Sequence, residues 1–197
     1  MTEPVNKTLN RTQKALRESL AELLLEKPIK TIRVQELTER AGIHRLTFYK
    51  YYQDIYDLYE QIQQTLIEDM EHLMMAHNQE PGESFYIHIV EYVDNNRNVF
   101  RVMFSLNPSY EMYYHFMIAL EEKGKMIWLS SQVVSDQLEH ADYFVHYHTS
   151  GCMAIVAKWV NSGFAASRKE IIKMLCMTDK FLTDGLSEEV KKQHKQK

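Results

Sequence analysis

Residues 32–52 read IRVQELTERAGIHRLTFYKYY, and two short helical patterns meet in this stretch at a glycine. Val34, Leu37 and Ala41 recur at intervals of three and four, which predicts a helix of about two turns. Gly42 follows at once, where a helix end or tight turn needs the positive φ that glycine adopts without strain. A further short helix is predicted from His44 to Tyr51. Upstream, Leu16, Leu20, Leu23 and Leu24 form one stripe of a longer helix over 8–27. Pro28 closes it, because the residue before a proline is driven out of the α region. Two short helices joined by a glycine-containing turn and packed on a longer first helix make the pattern of a helix-turn-helix. Val34, Leu37, Ala41, Ile43 and Phe48 can close its small core. Arg45, Thr47, Tyr49, Lys50 and Tyr51 then point outward, supplying the cations and hydroxyls that phosphate and base-edge contacts require.

Outward from this stretch the helical reading continues. Asp54 offers an N-cap oxygen, and Asp57 favours the positive end of the helix it opens. Ile55, Leu58, Tyr59, Ile62, Leu66 and Leu73 carry that helix to about His77. The segment NQEPG at 78–82 is the clearest break in the chain. Beyond it helices are predicted near 83–96, 97–106, 109–126, 127–138, 139–162 and 168–185, with a fraying tail KKQHKQK. No repeat and no strand pattern is found. The expected fold is all-α: a three-helix helix-turn-helix domain over 8–54, a linking helix over 54–77, and a second helical domain over 78–190.

Composition agrees with a globular chain. Of 197 residues 45% are apolar and 25% charged, with only 6 Gly and 4 Pro, which excludes collagen-like, low-complexity and disordered classes. No apolar run approaches the ~20 residues of a membrane span, and the first residues lack the apolar stretch of a secretion signal. Cys152 and Cys176 imply no disulfide framework. A cytoplasmic location with no membrane partner is expected. Charge is divided: residues 1–53 hold ten Lys/Arg against six Asp/Glu, whereas 54–197 hold thirteen against twenty-one. Polyanion binding therefore belongs to the front of the chain.

The stretch from Leu16 to Leu58 resembles the DNA-binding region of the tetracycline-repressor (TetR) family of bacterial regulators. The resemblance is carried by Leu37-Thr38-Glu39-Arg40-Ala41-Gly42-Ile43, then Thr47-Phe48-Tyr49 and Tyr52, then Asp54 and Leu58. Phe144–Trp159 with Val160-Asn161-Ser162-Gly163 is similar to the penultimate helix of one branch of these regulators. The resemblance implies a homodimer whose 78–190 domain is the effector-binding and dimerisation domain, bound to a pseudo-palindromic double-stranded DNA operator and probing it through Gln35, His44, Arg45, Leu46, Thr47, Tyr49, Lys50 and Tyr51. Gln35 would sit at the groove edge. Arg45 would reach guanine or a phosphate, and Thr47, Tyr49 and Tyr51 would hold phosphates. Three positions depart from the family pattern. Leu46 replaces a small residue and would face a thymine methyl. His44 stands where Ser or Asn usually caps. Ile55 stands where a Lys usually grips a phosphate, leaving Lys50, Arg11 or Lys7 to take over that contact.

The acidic two-thirds is dense in Met and aromatic residues, which either fill a helical core or line a pocket for a small apolar or aromatic effector. His88, Tyr92, Phe104, Tyr113, His115 and Phe116 are the pocket residues expected from sequence. Phe144, His148, Cys152, Ile155 and Trp159 stripe one helix, and Ile172 and Leu175 lie on the last. Two such helices from each subunit would make a four-helix dimer interface, with packing inside one chain as the alternative. No histidine pair has the i, i+4 spacing of a metal site. Both cysteines fall in apolar helical stretches, where thiolate formation is disfavoured. Phosphate loops, nucleophile elbows and other enzyme motifs are absent, so neither a cofactor nor catalysis is expected. Three functions remain. The first is an effector-released regulator, most naturally a repressor. The second is a regulator of the same fold controlled by a protein partner. The third is a helical interaction protein with a vestigial helix-turn-helix.

Overall fold

The computed structural model describes residues 10–77, 82–105, 110–130 and 140–195. Helix α1 (Arg11–Glu26) begins a little after the start expected at residue 8, because Asn10 caps it. The Asn10 side chain accepts from Gln13 N–H at 2.9 Å, and the Gln13 side chain accepts from Asn10 N–H at 3.2 Å. That reciprocal pair satisfies two otherwise orphaned donors. Leu16, Leu20 and Leu23 are buried on one face of α1, which packs against α2 (Val34–Ala41), and α2 in turn carries α3 (Arg45–Phe48). Gly42 ends α2 at φ +64°, and Ile43 N–H reaches back to Thr38 C=O at 2.9 Å. Regular α3 is shorter than the 44–51 helix expected from sequence. Lys50 and Tyr51 donate to Thr47 and Phe48, three residues back, in a tightened last turn. That turn brings Tyr52 inward beside Phe48, where both are buried.

Helix α4 (Ile55–His77) runs from the head into the body. Asp54 Oδ1 accepts from Asp57 N–H at 2.9 Å, so the expected acidic cap is present. Ile55 is buried in the head core. The body adds α5 (Gly82–Asn95), α6 (Arg97–Met103), α7 (Tyr110–Ser130), α8 (Ala141–Asn161) and α9 (Arg168–Lys195). Helix α7 lies between α4 and α8, α9 covers α5 and α8, and the short α6 is wedged between α1 and the body. One continuous core extends from Leu16 in the head to Leu175 in α9. No strand occurs among the described residues.

Two boundaries differ from those read in the sequence. Helix α7 is continuous through the expected break at 126/127 and reaches Ser130, because Trp128 continues its buried face. The rest of the expected 127–138 helix falls outside the described residues, as do residues 78–81 of the NQEPG break. Helix α9 continues past 185 to Lys195, where a frayed tail was expected. The turn into α9 uses two consecutive left-handed residues, Gly163 at φ +71° and Phe164 at φ +63°. Trp159 stabilises that turn by donating its indole N–H to Ala166 C=O at 2.8 Å and packing edge-on against Phe164.

Candidate nucleic-acid interface and effector cavity

The outer face of α3 is built by what its core side leaves over. Phe48 takes the inward position completely, so Arg45, Leu46 and Tyr49 must point away. Leu46 is 69% exposed although apolar. Arg45 Nη2 donates to Tyr49 Oη at 3.1 Å, and the guanidinium lies 5.5 Å from the Tyr49 ring centroid. The phenol thus holds the cation extended along the helix, which lowers the ordering cost when it meets a base or phosphate. Nδ1 of His44 accepts from Leu46 N–H at 3.2 Å, so this histidine performs the capping done elsewhere by a hydroxyl or amide. Gln35 is exposed at the start of α2 and donates to Glu39 at 2.9 Å. Tyr51 is exposed and accepts from the Asn10 side chain at 3.1 Å, tying the tip of α3 to the start of α1. Thr47 is half-buried and Lys50 exposed. All eight sequence-selected positions therefore cluster on or beside the two short helices.

A cavity of about 350 Å³ lies in the body between α4, α5, α6, α7, α8 and α9. Its wall is mainly apolar: Met70 and Met74 from α4, Phe85 and Ile89 from α5, Phe100 from α6, Phe116 and Trp128 from α7, Met153 from α8. The polar groups are few and belong mostly to α8 and α9: His148, Thr149, Cys152, Asp179 and Thr183, with His77 from α4 and the Tyr86 hydroxyl from α5. His148 Nε2 lies 3.0 Å from Asp179 Oδ1, and its ring packs against Trp128. Burial pushes the His148 pKa down, but the hydrogen bond to Asp179, with Cys152 and the Asp179 charge adding to it, outweighs burial and raises it to about 9. The imidazole is therefore charged at neutral pH. Tyr86 is almost fully buried, and burial pushes its phenol well above the ordinary range, keeping it a neutral donor.

Residues 80–178, just over half the chain, match the family model for the TetR transcriptional regulator C-terminal region. The chain is a TetR-family transcriptional regulator. A helix-turn-helix DNA-binding head is the family's property, and the front of this regulator supplies one. Among solved structures, the dihydroxyacetone kinase operon activator DhaS superposes with a TM-score of 0.61 at 19% identity, over 89% of this chain and 96% of that one. A TetR transcriptional regulator from Streptococcus agalactiae gives 0.56 at 18%, over 87% and 95%. NalD, the secondary repressor of the MexAB-OprM multidrug efflux pump in Pseudomonas aeruginosa, gives 0.55 at 14%, over 83% and 92%. At these identities the likeness is one of fold. No curated protein matches the sequence.

In this regulator the sequence-selected pocket residues are dispersed. Phe116 alone of the six lines the cavity. Tyr92 turns away from it and donates to Asp69 at 2.9 Å, beside Arg17 of the head. Phe104 and Tyr113 pack on one another behind Phe100. His88 stacks on His77 at 3.8 Å, and His115 is exposed. Periodicity marks these residues as apolar-facing without saying which neighbour they face. The last two helices show a similar division. His148, Cys152 and Leu175 line the cavity and Trp159 is buried at the α8–α9 turn, while Phe144, Ile155 and Ile172 are half-buried. The outer face of the pair carries Tyr143, Tyr147, Met174, Met177 and Phe181 instead, with Phe181 76% exposed. Cys152 is not in purely apolar surroundings, contrary to the sequence expectation, because α9 brings Asp179 across to its His148 neighbour. The residue most difficult to find was Asp179. Its one signal is a carboxylate continuing the buried register of Ile171 and Leu175. Among the described residues no group of three or more His, Cys, Asp and Glu is placed to hold a metal ion, and no helix is long and apolar enough to cross a membrane.

Proposed function

We propose that this regulator is a cytoplasmic homodimer that binds a pseudo-palindromic operator through α2 and α3 and releases it when a small apolar or aromatic effector fills the body cavity. The observation that carries the proposal is the position of α6. Phe100 forms part of the cavity wall, while its helix packs on α1 of the head. A ligand that displaces Phe100 therefore acts on the element supporting the reading helix. It shifts DNA binding only as far as it binds the two arrangements unequally. A twofold dimer presents its two α3 helices to successive major grooves about 34–36 Å apart or a multiple of that spacing. The exposed apolar face of α8 and α9 supports that dimer, since contiguous apolar surface rimmed by polar residues marks an interaction site. The working division is a head over 8–54, a linking helix over 54–77 and a regulatory body over 78–190.

In DNA contact, Arg45 reads a base edge, Leu46 covers a thymine methyl, and Thr47, Tyr49, Lys50 and Tyr51 grip the backbone. Ile55 is committed to the core, so Lys50 and Arg11 supply the phosphate charge that the family's usual lysine would carry. Repression is the sense proposed, by occlusion of the promoter. The test is binding to the DNA flanking its own gene across a salt series, with an unrelated duplex as competitor. Site-specific binding that weakens steeply with salt is expected. Arg45→Ala should cost about 1–3 kcal/mol and relax preference at one operator position. Wild-type affinity in that variant would refute the docking.

A further inference from the structure

Cys152 sits in a reactive setting. Its Sγ is 3.7 Å from Nε2 of His148, one helical turn earlier, and 3.9 Å from the Tyr86 hydroxyl on α5. The same His148 nitrogen is 3.0 Å from Asp179 on α9, whose carboxylate favours the charged imidazole. The His148 imidazolium and the Tyr86 hydroxyl both lie beside one sulfur, so a nucleophilic attack launched from it has proton donors at hand. All four side chains line the cavity. Cys176 provides an internal contrast. It does not line the cavity, and burial pushes its thiol up, with the charges of Glu83 and Asp179 acting in the same direction.

We infer that Cys152 is a nucleophile for apolar soft electrophiles, the aromatic α,β-unsaturated ketones and aldehydes, that enter the cavity. The inference rests on the effector reading of that cavity and deepens it by naming the ligand class. The Cys152 thiolate attacks the β-carbon and a C–S bond forms. The C=C pair moves onto the carbonyl system as an enolate. The thiol proton is released to solvent, the enolate takes a proton at its α-carbon from the His148 imidazolium, and the imidazole regains one from solvent. The sum is addition of S–H across the double bond. No group leaves, and no separate oxidant or reductant takes part. The aromatic wall holds the ring of such a ligand, and the covalent bond adds to binding where the cavity offers few polar handles.

The experiment treats the full chain with benzylideneacetone and follows intact mass and peptide maps for wild type, Cys152→Ser, Cys176→Ser and His148→Gln. One adduct is expected on Cys152, forming about tenfold faster than on Cys176. It should be absent from Cys152→Ser, retained in Cys176→Ser and slowed in His148→Gln. Equal labelling of the two thiols in folded wild type overturns the inference. So does an unchanged rate in His148→Gln that remains folded by circular dichroism. Benzylacetone, the saturated ketone, separates this inference from the reading beneath it. Operator release by benzylacetone without any Cys152 adduct from the enone leaves the effector reading standing and removes the nucleophile. A selective Cys152 adduct, with neither ketone changing operator affinity, supports the nucleophile and removes the effector reading.

Discussion

The His148–Asp179 pair should be visible in how stability depends on pH. The imidazole pKa rises from 6.5 to about 9 on folding. Between those values the native chain keeps a proton that the unfolded chain has released. The stability contributed by the group is complete below pH 6.5 and is lost as pH climbs through 9. At about 1.4 kcal/mol per pH unit across that window, the total is about 3 kcal/mol. Solvent screening reduces this little, since the His148 and Asp179 side chains are only 16% and 28% exposed. The groups facing His148 are Asp179 from α9, Cys152 on its own helix, the Trp128 ring from α7, and Tyr86 from α5 through Cys152. Tyr86, Tyr92 and Cys176 are all pushed upward by burial; the tyrosine losses begin above 10.0, outside the window, and the Cys176 loss, which begins at 9.0, is common to wild type and variant and cancels in the difference. Urea unfolding from about pH 6 to about pH 9.5, on wild type and His148→Gln, isolates the effect because the other histidines cancel in the difference. Wild type should lose about 3 kcal/mol relative to the variant over that range. Parallel pH profiles would refute the pairing, and with it the account of a charged imidazole in the cavity.

Other perturbations test other parts of the reasoning. Gly42→Ala meets no atom within 4 Å but must hold φ +64°, so its cost is backbone strain alone, about 1–2 kcal/mol in a thermal or urea melt. A variant as stable as wild type would show that the turn between α2 and α3 relaxes. Phe181→Glu places a charge on an already exposed position of the α8–α9 face. Sedimentation should show a monomer with intact helicity and weakened operator binding. An unchanged dimer would place the interface elsewhere.

Much of the head was legible because its determinants are local. The spacing of Leu16, Leu20 and Leu23, the stop at Pro28, the glycine at 42 and the cap at Asp54 each act within a turn or two of chain, and each sets an element boundary without help from distant residues. The outward-facing positions of α3 follow once Phe48 is assigned to the core. His44 shows the limit of type-based reading even there: its ring nitrogen caps, although the residue type is not a usual cap.

The helical class and the outward face of α3 were thus determined by the sequence alone, through periodicity and turn chemistry. The cavity was decided only by tertiary structure. Periodicity tells whether a side chain turns inward from its own helix. It does not report the rotation and sliding that bring one inward face against another. Tyr86 meets Cys152 across 66 positions of chain, and Asp179 meets His148 between two helices that each read as a plain apolar stripe. Those encounters depend on how six helices pack together. For that reason the expected polar residues of the pocket, His88, Tyr92, Tyr113 and His115, lie elsewhere, while His148, Cys152 and Leu175, which line it beside Phe116, came from stripes assigned to the dimer interface.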